Sequence, residues 1–389
     1  MAGVMKNQIH SQRHYAMAKA GFKVFDSDMH VMEPPDLWQR YIDSEFKAFA
    51  PVGLTSGNLR ELRMVHPDGK PWGHNPSRDL SRRPPDGGKN FDSKQAIFRH
   101  YADHGWSAKS QLDAMDVEGI DVAVLYPTRG LIALAEPNME PRLAAAIARA
   151  YNNWLYDFCS ENPQRLYGAA MISPFDIDEA IKEARRCSKE LSFKAAFMRA
   201  NLFNGKNWYD EYYEPLWSTF EELDLPRGFH EATRSGVNNP GERFEPNFML
   251  RRVYSQPLEQ MMTVGSFCAG GVLARHPKLR VAFLEGNCSW LPWVLWRLDE
   301  AAELDGDIWA KALTMAPSEY FKRNCIVSVE PEERTARGVV DELGCDHLVV
   351  STDYPHVDSR FPNAIDIFLK LPFTDEEKRK ILWDNCAGY

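Results

Sequence analysis

The chain has no uninterrupted apolar run near the ~20 residues of a membrane-spanning helix, no paired-cysteine motif and no excess of basic residues. Each absence excludes something. Without a long apolar run, a membrane span is not expected. The formal net charge of −9 gives no electrostatic footing for nucleic acid or an anionic lipid surface. Seven cysteines, odd in number and scattered from Cys159 to Cys386 without a CxxC, argue against a disulfide framework and against a cysteine zinc site. The N-terminal stretch MAGVMKNQIHSQRHYAMAKA lacks the apolar core of a secretory signal. These features predict reduced thiols and a cytoplasmic protein. What remains is ordinary globular composition over 389 residues, 44% hydrophobic and 26% charged, with ample length for a large core.

Short apolar runs alternate with amphipathic stretches along most of the chain. Strand candidates lie at 22–28, 121–127, 166–172, 194–200, 225–231, 279–286, 325–329 and 347–355, nearly all separated by helical patterns. Alternating strands and helices imply a parallel sheet, and eight such units favour a closed (β/α)8 TIM barrel. Residues 39–106 break the rhythm with the Pro/Gly-rich segment PDGKPWGHNPSRDLSRRPPDGG. They read as an insertion after strand one, projecting as a lid or oligomer contact. The expected organisation is an N-terminal extension over 1–21 and a barrel over 22–389.

A barrel of this type carries its active site at the C-terminal ends of the strands. Strand one ends in FDSDMHVME, bringing Asp26, Asp28, His30 and then Glu33. Residues two apart on a strand share a face, so Asp26, Asp28 and His30 are expected to crowd onto one side. A cation would explain such crowding; a helix start at Glu33-Pro34-Pro35-Asp36 would explain part of it. Strand four ends in Arg199 and Asn201, strand five in His230-Glu231, strand six in Glu285 and Asn287, and strand eight in Asp353 with His356 three residues on. Tyr126, Thr128, Ser173 and Glu330 sit at the remaining ends. His66, His74, His100 and His104 fall in the insertion and read as surface or lid residues, and His276 belongs to the opposite rim. Acids and histidines from four strands converging on one rim would repel one another without a cation.

These residues resemble the amidohydrolase-related branch of the metal-dependent amidohydrolase superfamily, which includes aminocarboxymuconate-semialdehyde decarboxylase and the resorcylate-type decarboxylases. The first-strand pattern Asp-x-His-x-His is matched by Asp26-Ser27-Asp28-Met29-His30, with aspartate for the first histidine. His230 matches the family's strand-five histidine, and Ser351-Thr352-Asp353-Tyr354-Pro355 its strand-eight aspartate context. RHPKLRVAFLEGN resembles the strand-six signature, with Glu285 where a histidine is usual. No lysine closes strand four to be carbamylated; Lys194 opens it.

The resemblance implies metal ligands among Asp28, His30, Glu33, His230, Glu285, Asp353 and His356, holding one or two divalent ions of zinc, iron or manganese. The expected activity is hydrolysis of a small carbonyl, ester, thioester or amide substrate by metal-activated water. Asp353 or His356 would move the proton and Arg199 would bind a substrate carboxylate. Non-oxidative decarboxylation of a small carboxylic acid and O2-dependent dinuclear oxygenation are the alternatives on the same barrel. The partner is expected to be a small molecule. Trp290, Trp293 and Trp296, three apart on one helix face, suggest a homodimer or larger assembly, or a hetero-oligomer with a related barrel subunit.

Overall fold

The computed structural model of the chain describes residues 19–53, 62–65, 69, 71–73, 91–136, 139–230, 240–244 and 247–389. Eight parallel strands follow one another around a barrel: β1 (Phe25–His30), β2 (Val122–Tyr126), β3 (Leu166–Met171), β4 (Ala195–Arg199), β5 (Arg227–His230), β6 (Val281–Leu284), β7 (Cys325–Val329) and β8 (Leu348–Val350). Every expected strand is present within a few residues of its expected place. The strands read as continuous apolar runs such as VAFL and CIVSV because helices cover the outer face and packed side chains fill the inner one.

Closure comes from bonds between the first and last strands. His30 N donates to Tyr354 O at 2.6 Å, Asp353 N to Asp28 O at 3.3 Å, and Ser27 Oγ to Val350 O at 2.8 Å. The ends of β1 and β8 are thereby neighbours, although more than 300 residues separate them in sequence. The fold is the expected (β/α)8 barrel.

Helix boundaries follow local chemistry. Asp176 accepts from Glu179 N at 3.0 Å and starts the helix Ile177–Lys189. Gly119, with φ at +79°, ends the helix Ala108–Glu118 in the left-handed region, where a side chain would be strained. No helix among the described residues is long and apolar enough to cross a membrane. All seven cysteines are free thiols.

The insertion after β1 contains a three-stranded antiparallel sheet, Val52–Gly53, Leu62–Val65 and Pro71–Gly73, and the helix Phe91–Asp103. Phe98 and Tyr101 of that helix pack on Tyr354 and Phe361 just beyond β8, with ring centroids 5.3–5.9 Å apart. The end of the insertion therefore sits on the C-terminal rim. His100 and His104 are exposed, their rings 4.5 Å apart; His66, His74 and Glu231 lie outside the described residues. Of the three tryptophans, Trp290, just before the helix Leu291–Trp309, packs partly buried against the core, whereas Trp293 and Trp296 are 60% and 58% exposed.

Candidate metal centre

Six side chains meet at the mouth of the barrel: Asp28 and His30 from β1, His230 from β5, and Glu285, Asp353 and His356 just past β6 and β8. His30 is the hub. Its Nδ1 lies 2.8 Å from Pro127 O, and a carbonyl only accepts, so Nδ1 carries the proton and Nε2 presents a lone pair in the neutral ring. That Nε2 is 3.5 Å from an oxygen of each of Asp28, Glu285 and Asp353, and 3.2 Å from His230 Nε2. Gln111 Nε2 donates to His30 O at 3.2 Å and steadies the strand end from behind.

Glu285 and Asp353 both adopt left-handed backbone, with φ of +48° and +56°. Such conformations cost a non-glycine residue of order 1–3 kcal/mol and gather at functional sites. His230 Nε2 lies 2.6 Å from Glu285 Oε2 and 3.8 Å from Asp28 Oδ1. His356 stacks on His30 with centroids 4.0 Å apart, its Nδ1 2.5 Å from Asp353 Oδ1 and its Nε2 3.0 Å from Thr128 Oγ1.

The electrostatics call for a cation. Both oxygens of Asp28 are buried without a hydrogen-bond partner, a costly state for a carboxylate in water-free surroundings. Burial drives the Asp28 carboxyl up, and His230 and His30 only partly oppose it. Burial alone would lower His30; the carboxylates of Glu285, Asp28 and Asp353 reverse this and leave it raised. A lone pair and three carboxylates aimed at one point repel until something positive lies between them. Imidazole nitrogen and carboxylate oxygen suit zinc, iron or manganese, and these residues fit a divalent ion.

Two expected positions fall elsewhere. The Glu33 carboxylate is taken up by the backbone that opens the short helix Gly130–Ala133, accepting from Thr128 N at 3.1 Å, Arg129 N at 2.8 Å and Gly130 N at 2.8 Å. A Cβ at Gly130 would stand 3.0 Å from Glu33 Oε1 and 2.6 Å from Pro127 Cβ, so glycine permits this close approach. Glu33 is therefore outside the cluster, contrary to its expected place as a ligand, because three N–H groups already satisfy its oxygens. Asp26 is likewise diverted. A register shift between Asp26 and Met29 breaks the alternation, and Asp26 accepts from Thr352 N, Thr352 Oγ1 and Asp28 N instead. Burial pushes its carboxyl up to about 7, against those hydrogen bonds.

Arg199, at the end of β4, is paired in register with His230 and donates to Asn201 Oδ1. It does not line the cavity of about 410 Å³ that opens beside the cluster. That cavity is lined by Glu285, Asn287, Thr352 and Asp353 from the strand ends, together with Arg252, Gln256, Glu330 and Arg360. Gln256 donates to Glu285 Oε1, Arg252 pairs with Asp358, and Arg360 with Glu332. Burial, with Glu333, Glu332 and Glu285 nearby, raises the Glu330 carboxyl to about 8. Sequence reasoning passed over Arg252, Gln256 and Arg360: they carry no local motif, and only the path of the helix Phe248–Cys268 and the loop after β8 brings them here.

Comparison with known proteins agrees with this architecture. A 2-amino-3-carboxymuconate-6-semialdehyde decarboxylase of Dictyostelium discoideum is 25% identical over 75% of this chain and 79% of its own. A gamma-resorcylate decarboxylase of Rhodococcus jostii is 28% identical over 71% of this chain and 85% of its own. Among solved structures, an amidohydrolase of Mycobacterium avium subsp. paratuberculosis superposes with a TM-score of 0.75 at 22% identity, covering 94% of this chain and 98% of that one. A dihydroxybenzoic acid decarboxylase of Polaromonas sp., solved with manganese and 2-nitroresorcinol, gives 0.65 at 18% identity, covering 94% and 96%. The curated relatives are decarboxylases, which overturns the expectation of a hydrolase. The model of the amidohydrolase family, Amidohydro_2, matches residues 25–387, nearly the whole described barrel, and the chain belongs to that family.

Proposed function

We propose that the chain is a metal-dependent, non-oxidative decarboxylase of small aromatic carboxylic acids. The observation that carries this reading is the pairing of decarboxylase relatives aligned over most of the chain with a cation-demanding cluster at the mouth of its barrel. Asp28, His30 and His230 would hold the ion, with Glu285 and Asp353 beside it. When bound, the ion supplies a positive anchor for the substrate's carboxylate and the oxygen next to it.

The rest falls to side chains of the chain itself. Decarboxylation replaces the departing carboxyl by a proton on the ring carbon. Asp353 borders the cavity, and its Oδ1 is held 2.5 Å from His356 Nδ1, so this pair is assigned the proton. Thr128, at His356 Nε2, fixes that ring's orientation. Arg252 and Arg360, paired with Asp358 and Glu332, line the same cavity, where they would orient an acidic or phenolic substituent. A cavity of about 410 Å³ suits a single substituted ring.

The test is to supply manganese-loaded protein with 2,6-dihydroxybenzoate and a panel of substituted benzoates, following carbon dioxide and dissolved oxygen together. The expected result is carbon dioxide in step with loss of one acid, and no oxygen uptake. Turnover that consumes oxygen, or ester or thioester cleavage without carbon dioxide, would overturn the assignment.

A further inference from the structure

A second cavity, of about 420 Å³, lies at the N-terminal ends of the strands, opposite the metal centre. Phe25, Ala195 and Arg227, which open β1, β4 and β5, stand on its wall with Ala282 and Ile326, each one residue into its strand. The bore of such a barrel is ordinarily filled by layers of bulky branched side chains. Here Ser27, Ala195, Gly228 and Ala282 leave room, and Phe25, Tyr167, Phe193 and Leu284 give the space an apolar surface. Its volume falls within the roughly 300–1,000 Å³ of small-molecule sites. Tyr126 and Leu284 close it toward the metal centre. A Cβ at Gly228 would stand 2.5 Å from the Tyr126 hydroxyl and 2.7 Å from Leu284 Cδ1, while the Tyr126 ring lies 6.4 and 6.1 Å from those of His30 and His230.

The charges on this lining are mostly of one sign. Lys194, Arg227 and Arg280 lie at the starts of three neighbouring strands, β4, β5 and β6, against a single carboxylate, Asp224. Asp224 is already taken by Arg280, at 2.8 Å. Arg227 is wholly buried, and none of its three guanidinium nitrogens has a hydrogen-bond partner. Trp217 and Phe267, at 4.5 and 4.7 Å, attract its charge, but ring faces do not satisfy its N–H donors. Burial lowers the guanidinium only to about 9, so it is charged at neutral pH. Arg280 Nε is also buried without a partner, and among the described residues Lys194 meets no acid and the Tyr126 hydroxyl makes no hydrogen bond. The cavity at the metal centre has the opposite balance, with Glu285, Glu330, Glu332, Asp353 and Asp358 against two arginines. A buried guanidinium without an acceptor is as costly as a buried carboxylate without a donor, and its complement is an anion.

We propose that the N-terminal cavity binds a small amphipathic monocarboxylate, its carboxylate held by Arg227, Arg280 and Lys194 and its apolar body filling the bore up to Tyr126. An inorganic anion would leave the apolar surface uncovered, and a neutral apolar molecule would leave Arg227 unanswered. The site is separate from the barrel mouth and does not depend on which reaction proceeds there.

The test titrates the full, manganese-loaded chain calorimetrically with octanoate, and with the neutral alcohol octanol as its uncharged counterpart. Octanoate is expected to bind at one site per chain, at least ~10-fold more tightly than octanol. Removing manganese with chelator, or Asp353→Asn at the mouth, should leave octanoate binding unchanged. Arg227→Met should weaken octanoate ~10-fold and spare octanol. Ala282→Leu, which fills the bore, should weaken both ~10-fold or more. Lys194 is exposed, so Lys194→Gln is expected to fold in any case and to weaken octanoate about 3-fold; it carries the test if the buried variants do not fold. The proposal is overturned by octanol binding as tightly as octanoate, by octanoate binding that disappears with manganese or in Asp353→Asn, or by no octanoate binding at millimolar concentration. Unchanged octanoate affinity in the folded N-terminal variants overturns it as well.

Discussion

Histidine meets two glutamates at His276 as it meets acids at His230, yet the two places have opposite characters. His276, at the entrance to β6 on the outer shell, holds Glu214 at 2.9 Å and Glu221 at 3.5 Å. Arg275 donates twice to the same Glu214, at 3.0 and 2.8 Å, and Lys278 N donates to Glu221. Burial would raise the Glu214 carboxyl, but Arg275 and His276 outweigh it and hold it below its usual range. Charge is closed on the spot by protein groups. At the barrel mouth, three carboxylates surround histidines, and among the described residues no arginine or lysine forms an ion pair with Asp28 or Glu285. A histidine among acids is therefore no sign of a metal by itself; charge left open by the protein is.

The contrast is broken or sharpened most strongly by exchanging the two histidines as targets. His30→Ala is expected to lower metal affinity by more than ~100-fold, since even supporting residues of a metal site contribute 10–100-fold. Activity should vanish with it, while His276→Ala keeps full metal content and loses only stability. Elemental analysis of the two folded variants decides; equal metal loss in both would show that the two clusters do not differ in kind.

Glu33 gives a smaller effect of another kind. Its oxygens are occupied by the N–H groups of Thr128, Arg129 and Gly130, so it resembles the closed cluster rather than the open one. Hydrogen bonds to a charged group contribute ~1.5–3 kcal/mol each, and an amide keeps part of them. Glu33→Gln is expected to destabilise the protein by about 1–3 kcal/mol in denaturant melts. Metal content per chain should be unchanged; a variant that lost metal at full stability would return Glu33 to the ligand set.

The smallest effect concerns pH. Glu330, on the cavity wall, has its carboxyl raised from 4.5 to about 8, chiefly by burial. A raised carboxyl favours the folded state while protonated. Its contribution is complete below its unfolded value and is lost as pH climbs through about 8. Wild-type stability should therefore fall toward pH 9 more steeply than that of Glu330→Gln. Parallel melting curves for the two proteins from pH 6 to 9 would contradict the assignment of that group.

Much of the fold was legible because a parallel barrel writes itself locally. Each strand is a short apolar run such as DVAVLYP or LRVAFLEG between helical patterns, and its position in the chain gives its position in the ring. The rim to which Asp28, His30, His230, Glu285 and Asp353 belong follows from which end of each run they close. Glu33 could not be placed this way. It lies past the strand end, where its partners are backbone N–H groups some 95 residues on, and no side-chain pattern marks a backbone donor. Asp26 was misplaced because alternation assumes an unbroken strand, and a register shift intervenes before Met29.

By itself, then, the sequence determined the barrel, the rim and the residue types at the strand ends, because periodicity and order along the chain encode all three. Only the tertiary structure decided which acids are left without protein partners. Asp26, Asp28 and Glu33 are the same kind of group within eight positions, yet Thr352 satisfies the first, the Thr128–Gly130 backbone satisfies the last, and Asp28 alone keeps two buried oxygens without a donor. Hydrogen-bond satisfaction depends on what the rest of the fold brings within ~3 Å, and those groups come from just past β8 and from the turn after β2, distances in sequence over which no local pattern reaches.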